Sequence, residues 1–200
     1  MSTPHLSLTD FVDFVSVPGL AKANKLAQVK NRPIYQPAFD FWKPLRDHIV
    51  ETHKSGGSRS DLKRLLHSLL DPKKISSYPD AVQGYYKWWG RKSLSWFEPP
   101  RQIFSSGIVE VSVNPELGLE VNGVAYVIKL YFKSEVLAKR RTDIILHLMK
   151  HTLSPVSRSP LMGVLDVQRS RLFTAGAGPR HLHAALLAEM AYIASIWPQV

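Results

Sequence analysis

The stretch that decides the fold runs from Leu117 to Lys133 and reads LGLEVNGVAYVIKLYFK. It contains two runs of alternating apolar residues on either side of Asn122-Gly123. This dipeptide favours a two-residue type I′ turn, because both of its residues must adopt positive φ. A two-residue loop also fixes the register, so that Glu116 faces Lys129. The sequence therefore predicts an antiparallel β-hairpin of defined pairing.

The two faces of this hairpin differ in polarity, because side chains alternate between the faces of a strand. One face is apolar and is expected to pack in the core. It carries Leu117, Leu119, Val121, Val124, Tyr126, Ile128, Leu130 and Phe132. The other face carries Glu116, Glu120, Lys129, Tyr131 and Lys133. We expect this charged face to be accessible to water, where a Glu116–Lys129 ion pair contributes about 0.2–1 kcal/mol.

The first 98 residues have the apolar period of helices rather than strands. A stripe of leucines runs from Leu62 to Leu69, and a further helix is predicted between Pro79 and Gly90. A chain of 200 residues with 44% hydrophobic content can bury one self-sufficient core. We therefore expect residues 1–200 to form one domain, of which residues 1–98 are mostly helical.

The remaining part, residues 99–200, contains the predicted strands. Besides the hairpin, these are Val109–Val113, Met162–Val167 and Leu172–Thr174. Two helices are predicted, from Ser134 to about His151 and from about Arg180 to Trp197. The pattern is typical of an α+β fold, in which a small mixed β-sheet (about residues 107–174) is covered by the N-terminal helices and a C-terminal helix.

Composition excludes several classes of protein. The chain has no cysteine, so thiolate zinc sites, iron–sulfur clusters, cysteine nucleophiles and disulfide scaffolds are ruled out. No basic stretch precedes the first apolar residues, among which Asp10 and Asp13 lie, so the N-terminus does not have the pattern of a secretory signal. The apolar segment Ala184–Trp197 is shorter than the ~20 residues that a bilayer crossing needs. We expect no membrane span and a cytoplasmic location.

The formal net charge of +10 and the pI near 9.9 indicate attraction to polyanions. Each phosphate neutralised by lysine or arginine releases condensed counterions, which favours nucleic-acid binding. The same charge is compatible with a basic balance that only keeps the protein in solution. It also fits an anionic membrane surface or an acidic protein partner, and charge alone does not separate these.

The order of helix, three strands, helix and strand resembles the restriction-endonuclease-like PD-(D/E)XK superfamily over about residues 78–174. In that family an acidic residue on the second strand and a Glu/Asp-x-Lys triplet on the third bind a divalent metal and polarise the attacking water. The resemblance implies that Glu116 or Glu120 takes the place of the acid and that Lys129 or Lys133 takes the place of the lysine.

This sequence departs from the family pattern at the triplet. The two triplets on the charged face, Lys129-Leu130-Tyr131 and Tyr131-Phe132-Lys133, contain no acid. Magnesium normally takes one or two carboxylates together with substrate oxygens, and the hairpin supplies too few. We therefore expect a degenerate metal site, unless Glu98 or Glu110 provides the missing carboxylate.

The predicted helix after the hairpin is rich in basic residues. Arg141 falls on its buried side and must pair with a carboxylate, extend to the surface or reach a ligand. Lys139 lies beside it in sequence, and Arg140 lies on a neighbouring edge, where arginine can fork onto phosphate oxygens. His147 and His151 are four residues apart, but the glutamate of the zincin motif and a third ligand are missing, so no metal is expected.

The segment from Lys87 to Trp96 interleaves basic and aromatic residues. Indole rings can stack on unpaired bases while cations follow the phosphates. Trp89 shares a packing face with Val82 and Tyr85, so it is expected in the core. Trp88 is therefore the candidate for base stacking.

These observations favour a nucleic-acid-binding protein with a nuclease-like core, a degenerate metal site and no cofactor. The residues expected to hold phosphates are Lys129, Lys133, Lys139, Arg140, Arg141, Arg169 and Arg171. One alternative is a magnesium- or manganese-dependent phosphodiesterase that uses Glu116 or Glu120 with Lys129 or Lys133. Another is a non-enzymatic interaction module with an acidic protein partner.

Overall fold

A computed structural model of the chain describes residues 3–33, 36–154, 160–176 and 178–200. The helices in these ranges are α1 (Leu8–Ser16), α2 (Ala21–Lys30), α3 (Lys43–Lys54), α4 (Arg64–His67), α5 (Pro72–Trp89), α6 (Lys139–Leu153) and α7 (Leu182–Ile196). The strands are β1 (His5–Ser7), β2 (Leu94–Phe97), β3 (Gln102–Ser106), β4 (Val109–Val113), β5 (Leu117–Val121), β6 (Val124–Tyr131), β7 (Leu161–Asp166) and β8 (Arg171–Thr174). Short 3-10 helices span Pro37–Phe39, Arg59–Lys63 and Trp197–Gln199. The predicted α+β class is confirmed, and none of the described helices has the length and apolar character needed to cross a membrane.

The strands form two sheets rather than the single small sheet that was expected. The larger sheet has the order β2-β5-β6-β7-β8, with β6 and β7 parallel and the other neighbours antiparallel. The smaller sheet has the order β1-β4-β3, and β1 is parallel to β4. The predicted strand Val109–Val113 is therefore β4 of the smaller sheet. Its place beside β5 is taken by β2, which the sequence pattern did not identify.

The hairpin has the predicted register. Leu117 pairs with Ile128 at one end and Val121 pairs with Val124 at the turn. Asn122 has φ 50° and Gly123 has φ 84°, as a type I′ turn requires. The Asn-Gly dipeptide thus sets which side chains share each face of β5 and β6.

The apolar face of the hairpin packs against α3 and α5, as predicted. Its buried residues join a core to which α5 contributes four aromatic side chains, Tyr78, Tyr85, Trp88 and Trp89. Val124, beside the turn, is an exception because it is largely exposed. This side of the sheet is therefore an apolar interior that combines aliphatic side chains with several aromatic rings.

The opposite face of the sheet is covered in its middle by α1 and α6. Val127 and Tyr131 of β6 are buried there with Met162 and Val164 of β7. The expectation that this charged face is open to water is wrong for its central part, and only the tip of the hairpin around Glu120 is exposed. The physical reason is that β6 is the central strand of five, and a central strand bordered by a parallel neighbour is covered on both faces.

A close backbone approach fixes α5 against the turn between β7 and β8. A Cβ atom at Gly84 would lie 2.0 Å from the carbonyl oxygen of Val167, so only glycine fits. Ser170 adopts φ 56° and its hydroxyl donates to the carbonyl of Gly84 at 2.8 Å. The helix also begins earlier than the predicted position at Pro79, because Asp71 caps it and Pro72 occupies its first turn.

Candidate nucleic-acid interface

Glu116 and Lys129 form an ion pair that is mostly enclosed. Lys129 Nζ donates to Glu116 Oε1, and the amide of Leu130 donates to Glu116 Oε2 at 2.8 Å. The side chains of Glu116 and Lys129 are 11% and 16% exposed. Both carboxylate oxygens of Glu116 are therefore occupied within the protein, and Lys129 is committed to its partner.

A second group of charges, which we call the Asp13 cluster, surrounds the carboxylate of Asp13 in α1. Lys133 Nζ donates to Asp13 at 2.7 Å, Arg141 donates to the same oxygen, and Lys25 lies 3.6 Å from the other oxygen. Glu135 adds a carboxylate 3.8 Å from Arg141. Arg141 thus takes the first of its three predicted outcomes and pairs with a carboxylate.

The electrostatics of the Asp13 cluster favour its charged form. Burial by itself would raise the pKa of Asp13, but hydrogen bonds from Lys133 and Arg141 outweigh this effect and lower the pKa below its ordinary value. The cavity among α1, β6 and α6 beside the cluster has a volume of about 30 Å³. Such a space admits one or two water molecules and no nucleotide.

The two glutamates proposed for metal binding do not converge. Glu120 is exposed beside the hairpin turn and pairs in register with Ala125 and Ser95. Glu116 precedes the other end of β5, about 13 Å away along the strand. Within the described ranges, no group of three or more His, Asp or Glu side chains is arranged to hold a metal ion.

The two glutamates that were considered as replacements lie elsewhere. Glu110 is in β4 of the smaller sheet and accepts from His5 Nδ1 at 3.0 Å. Glu98 follows β2 and pairs with Lys54 at 3.3 Å. Neither carboxylate joins the hairpin pair.

Two of the cations predicted to hold phosphates lie at the start of α6 and are exposed. Lys139 is 82% exposed and pairs with Asp143 at 2.6 Å, in an i,i+4 arrangement. Arg140 donates to the carbonyl of Val15 at 3.4 Å. Both side chains can reach solvent anions, although Lys139 already has a carboxylate partner.

The other two predicted cations come from the β7–β8 turn and from β8. Arg169 donates to the carbonyl of Ser134 at 2.6 Å and lies 3.3 Å from the buried carboxylate of Asp166. Arg171 is exposed, and its guanidinium lies 4.6 Å from the ring centroid of Phe173. Arg169 therefore ties the turn to the loop after β6 and is only partly free for a ligand.

Trp88 is placed in the core, which corrects its assignment as a stacking residue. It is 4% exposed and its ring packs 5.2 Å from that of Tyr85. Lys92 lies over the same indole at 5.3 Å. A base cannot stack on a ring that is buried in this way.

The exposed side of α5 carries the aromatic and basic residues instead, and we call it the α5 face. It consists of Tyr86 and Lys87 of α5, Arg91 just after the end of the helix, and Arg59 and Lys63 from the adjacent 3-10 helix. The guanidinium of Arg59 lies 4.4 Å from the Tyr86 ring centroid, and Lys63 Nζ lies 4.9 Å from it. Arg59 also donates to the carbonyl of Gly90 at 2.7 Å, so its position is held at two points.

Beside the α5 face an open groove separates α5 from the β7–β8 turn, and we call it the α5 groove. Its volume is about 540 Å³. The side chains that line it are Asp80, Gln83, Lys87, Gln168, Arg169 and Ser170. Ammonium, guanidinium, amide and hydroxyl donors thus meet one carboxylate, a set that favours an anionic ligand.

Part of this surface had a signal in the sequence. Asp80, Gln83 and Lys87 are spaced three and four residues apart, so they share one face of a helix. Arg59 and Arg169 join them only through tertiary structure, because they come from a 3-10 helix and from a turn. The predicted stacking residue was Trp88 in the same helix, whereas the ring on the exposed side belongs to Tyr86, two positions earlier.

Three histidines meet between α6 and α7. The rings of His147 and His151 lie with that of His183 at centroid distances of 4.4–6.0 Å, next to Phe104. His147 Nε2 and His183 Nδ1 are 3.2 Å apart, a hydrogen-bond distance. Burial, then the charges of His183, His151 and Lys150, lowers the pKa of His147. The four-residue spacing of the pair on α6 was evident in the sequence, whereas the contribution of α7 depends on tertiary structure.

The sequence matches no protein-family model and no curated protein sequence. The function must therefore be inferred from the geometry and the charge of the chain itself.

Proposed function

We propose that the protein binds nucleic acid, and that the α5 face and the α5 groove make the contact with phosphates. The observation that carries this proposal is a set of three cations on the α5 face. In the described part of the chain, Lys63, Lys87 and Arg91 have no carboxylate within 4.0 Å. Their charges are available to an external anion and contribute to the net charge of +10.

Unpaired cations bind a polyanion at a lower cost in free energy than paired cations do. A lysine that already holds a carboxylate must give up that interaction before it binds a phosphate, whereas an unpaired lysine gives up only water. Each phosphate contact also releases condensed counterions, and the gain grows with the number of cations that act together. Lys63 lies 4.9 Å from the ring of Tyr86, which precedes Lys87, and Arg59 of the same 3-10 helix donates to Gly90, which precedes Arg91. The three cations therefore come from adjacent elements, and one stretch of nucleic acid can contact them together.

The proposal also includes a nuclease-like core, which is supported by the order of the helices and strands. With β2 in place of the predicted first strand Val109–Val113, the elements α5, β2, β5, β6, α6 and β7 have the order helix, three strands, helix and strand, and all four strands lie in the larger sheet. The strands β3 and β4 are an insertion between β2 and β5 in this scheme. The internal partners of Glu116 and the missing acid in the β6 triplets support a core that binds nucleic acid without cleaving it.

The salt dependence of binding tests this proposal. We expect a duplex DNA or RNA probe to bind with a log–log salt slope that falls by about 3 in the Lys63→Ala, Lys87→Ala, Arg91→Ala triple variant, because each phosphate contact contributes about 0.9 to the slope. Fluorescence anisotropy from 50 to 200 mM salt gives the slope. Absence of binding by the wild type at low salt would overturn the proposal.

A matched triple variant controls for net charge. Lys139→Ala, Lys150→Ala and Arg180→Ala remove the same charge from exposed positions on or near α6 and α7. We expect this variant to keep the wild-type slope within about 1. A slope that falls in this variant and not in the α5 variant would leave nucleic-acid binding in place and move the contact to α6.

Two further measurements address the alternatives. The first is incubation of DNA and RNA with magnesium or manganese. We expect no cleavage that depends on Glu116 or Glu120, so Glu116→Gln and Glu120→Gln should behave like the wild type. Competition by polyglutamate addresses an acidic protein partner. We expect nucleic acid to bind more tightly than polyglutamate of equal charge, because phosphates along a nucleic acid are more closely spaced.

A further inference from the structure

We infer that the preferred ligand of the α5 face is a double helix, contacted through its phosphates, rather than a single strand. This inference rests on the proposed function and specifies its substrate class. It follows from two properties of the surface: its aromatic rings are occupied or buried, and its outer cations are held in place.

Single-strand binders combine a basic groove with aromatic rings on which unpaired bases stack. The α5 face lacks an open ring of this kind among the described residues. Trp88 and Trp89 are buried, and two cations lie over the ring of Tyr86. The ring of Trp96 is likewise beneath Lys54, whose ammonium is 5.4 Å from its centroid. Unpaired bases would therefore gain no stacking from this surface.

The cations at the borders of the surface are fixed in position. Arg59 is held by the carbonyl of Gly90 and by the ring of Tyr86. Arg169, in the adjoining α5 groove, is also held by the carbonyl of Ser134 and by Asp166, and this carboxylate partner leaves it only partly free for a phosphate. Lys87 is in α5, an 18-residue helix about 27 Å long, and lines the α5 groove together with Arg169. Groups that are already ordered lose little entropy on binding.

A fixed array of cations matches a rigid array of phosphates better than a flexible one. A double helix carries a negative charge about every 1.7 Å along its axis, and its phosphates keep their positions. A single strand must be ordered to reach the same cations, and it releases fewer counterions for each contact. Both differences favour the duplex.

Binding of matched probes tests the inference. The probes are a 20-base-pair duplex of about two helical turns and each of its single strands, titrated at several salt concentrations. We expect the duplex to bind at least about tenfold more tightly than either strand, and the triple variant of the α5 face to reduce this preference. Single strands that bind as tightly as the duplex would overturn the inference while leaving the proposed function intact.

A substitution at Tyr86 provides an independent readout. In Tyr86→Leu the side chain stays apolar but the ring that helps to hold Arg59 is lost, so we expect the affinity for the duplex to fall at least as much as the affinity for either single strand. A selective loss of single-strand binding in this variant would assign the ring to base stacking and overturn the inference. Failure of both probes to bind wild-type protein would instead reject the proposed function itself.

Discussion

The two sides of the larger sheet differ in where their charged side chains lie. Beneath α1 and α6, charged groups lie inside the fold, where Asp13 holds Lys133 and Arg141 and where Glu116 holds Lys129. On the side of α3 and α5 the interior is aromatic, and the cations stand outside it. The cations of this basic chain thus form two populations, and only the population without internal partners is free to bind an anion.

The largest expected effect concerns the aromatic side and its buried histidine, His53. His53 Nε2 lies 2.7 Å from the hydroxyl of Tyr85, and burial lowers the pKa of His53 from 6.5 to about 4. Between these pH values the unfolded chain binds a proton that the folded protein does not, so stability falls as the pH decreases. We expect a loss of about 3 kcal/mol between pH 7 and pH 4, measured by urea unfolding.

Replacement of the ring separates His53 from other sources of pH dependence. His53→Gln retains a polar atom that can contact Tyr85 and cannot be protonated in this range. The unfolding free energy of this variant is expected to change much less between pH 6.5 and pH 4. Some loss of stability at lower pH remains, because the lowered pKa of His147 acts in the same direction as that of His53. An unchanged pH profile in the variant would show that His53 is not the group responsible.

The next effect concerns the charged side. Asp13→Asn leaves Lys133 and Arg141 without their carboxylate, and we expect a loss of about 2 kcal/mol in the free energy of unfolding. This is less than the roughly 3–5 kcal/mol found for fully buried pairs, because Lys133 is 37% exposed. Asp80→Asn, a neutralisation at an exposed position in the α5 groove, is the control and is expected to change stability by less than about 0.5 kcal/mol. Equal losses in both variants would contradict the distinction between the two sides.

Two glutamates at opposite ends of the hairpin differ in the same way. Glu116→Gln removes the charge that holds Lys129 but keeps an acceptor for the amide of Leu130, so we expect a loss of about 1 kcal/mol. Glu120→Gln changes an exposed side chain and is expected to alter stability by less than about 0.5 kcal/mol. Thermal unfolding of both variants at neutral pH measures the difference. A larger effect at Glu120 would mean that the hairpin tip is more engaged than its exposure indicates.

The smallest effects are expected for cations on the surface. Lys139→Ala removes an i,i+4 pair with Asp143 and should cost about 0.3–0.5 kcal/mol. Lys87→Ala removes no internal partner, and alanine favours the helix, so stability should stay the same or rise slightly. Denaturant titration distinguishes the two only if they are measured side by side. A clear destabilisation by Lys87→Ala would remove Lys87 from the population of free cations.

The hairpin was predictable because its information is local. Asn122-Gly123 specifies the turn, and the alternation on both sides specifies the faces. The cover over the charged face was not predictable, because it depends on α1, whose Asp13 is separated from Arg141 by 128 residues. The sequence showed that Arg141 needed a partner, and only the fold supplied its identity.

The assignment of strands to sheets failed for a similar reason. Alternation identified Val109–Val113 as a strand, but nothing in the segment names its partners. Its neighbour β1 comes from the beginning of the chain, at His5–Ser7. At the candidate interface, helical spacing alone could not separate Trp88 from Tyr86, because the choice depends on which side of α5 meets the sheet.

The contact between Gly84 and Val167 has a consequence for the geometry of the α5 groove. Because a methyl group at residue 84 has no room, the two walls of the groove stand at the smallest separation that two backbones permit. The backbones that carry Lys87 and Arg169 are thus held together by a main-chain contact. Gly84→Ala would push the two backbones apart without changing any charged residue.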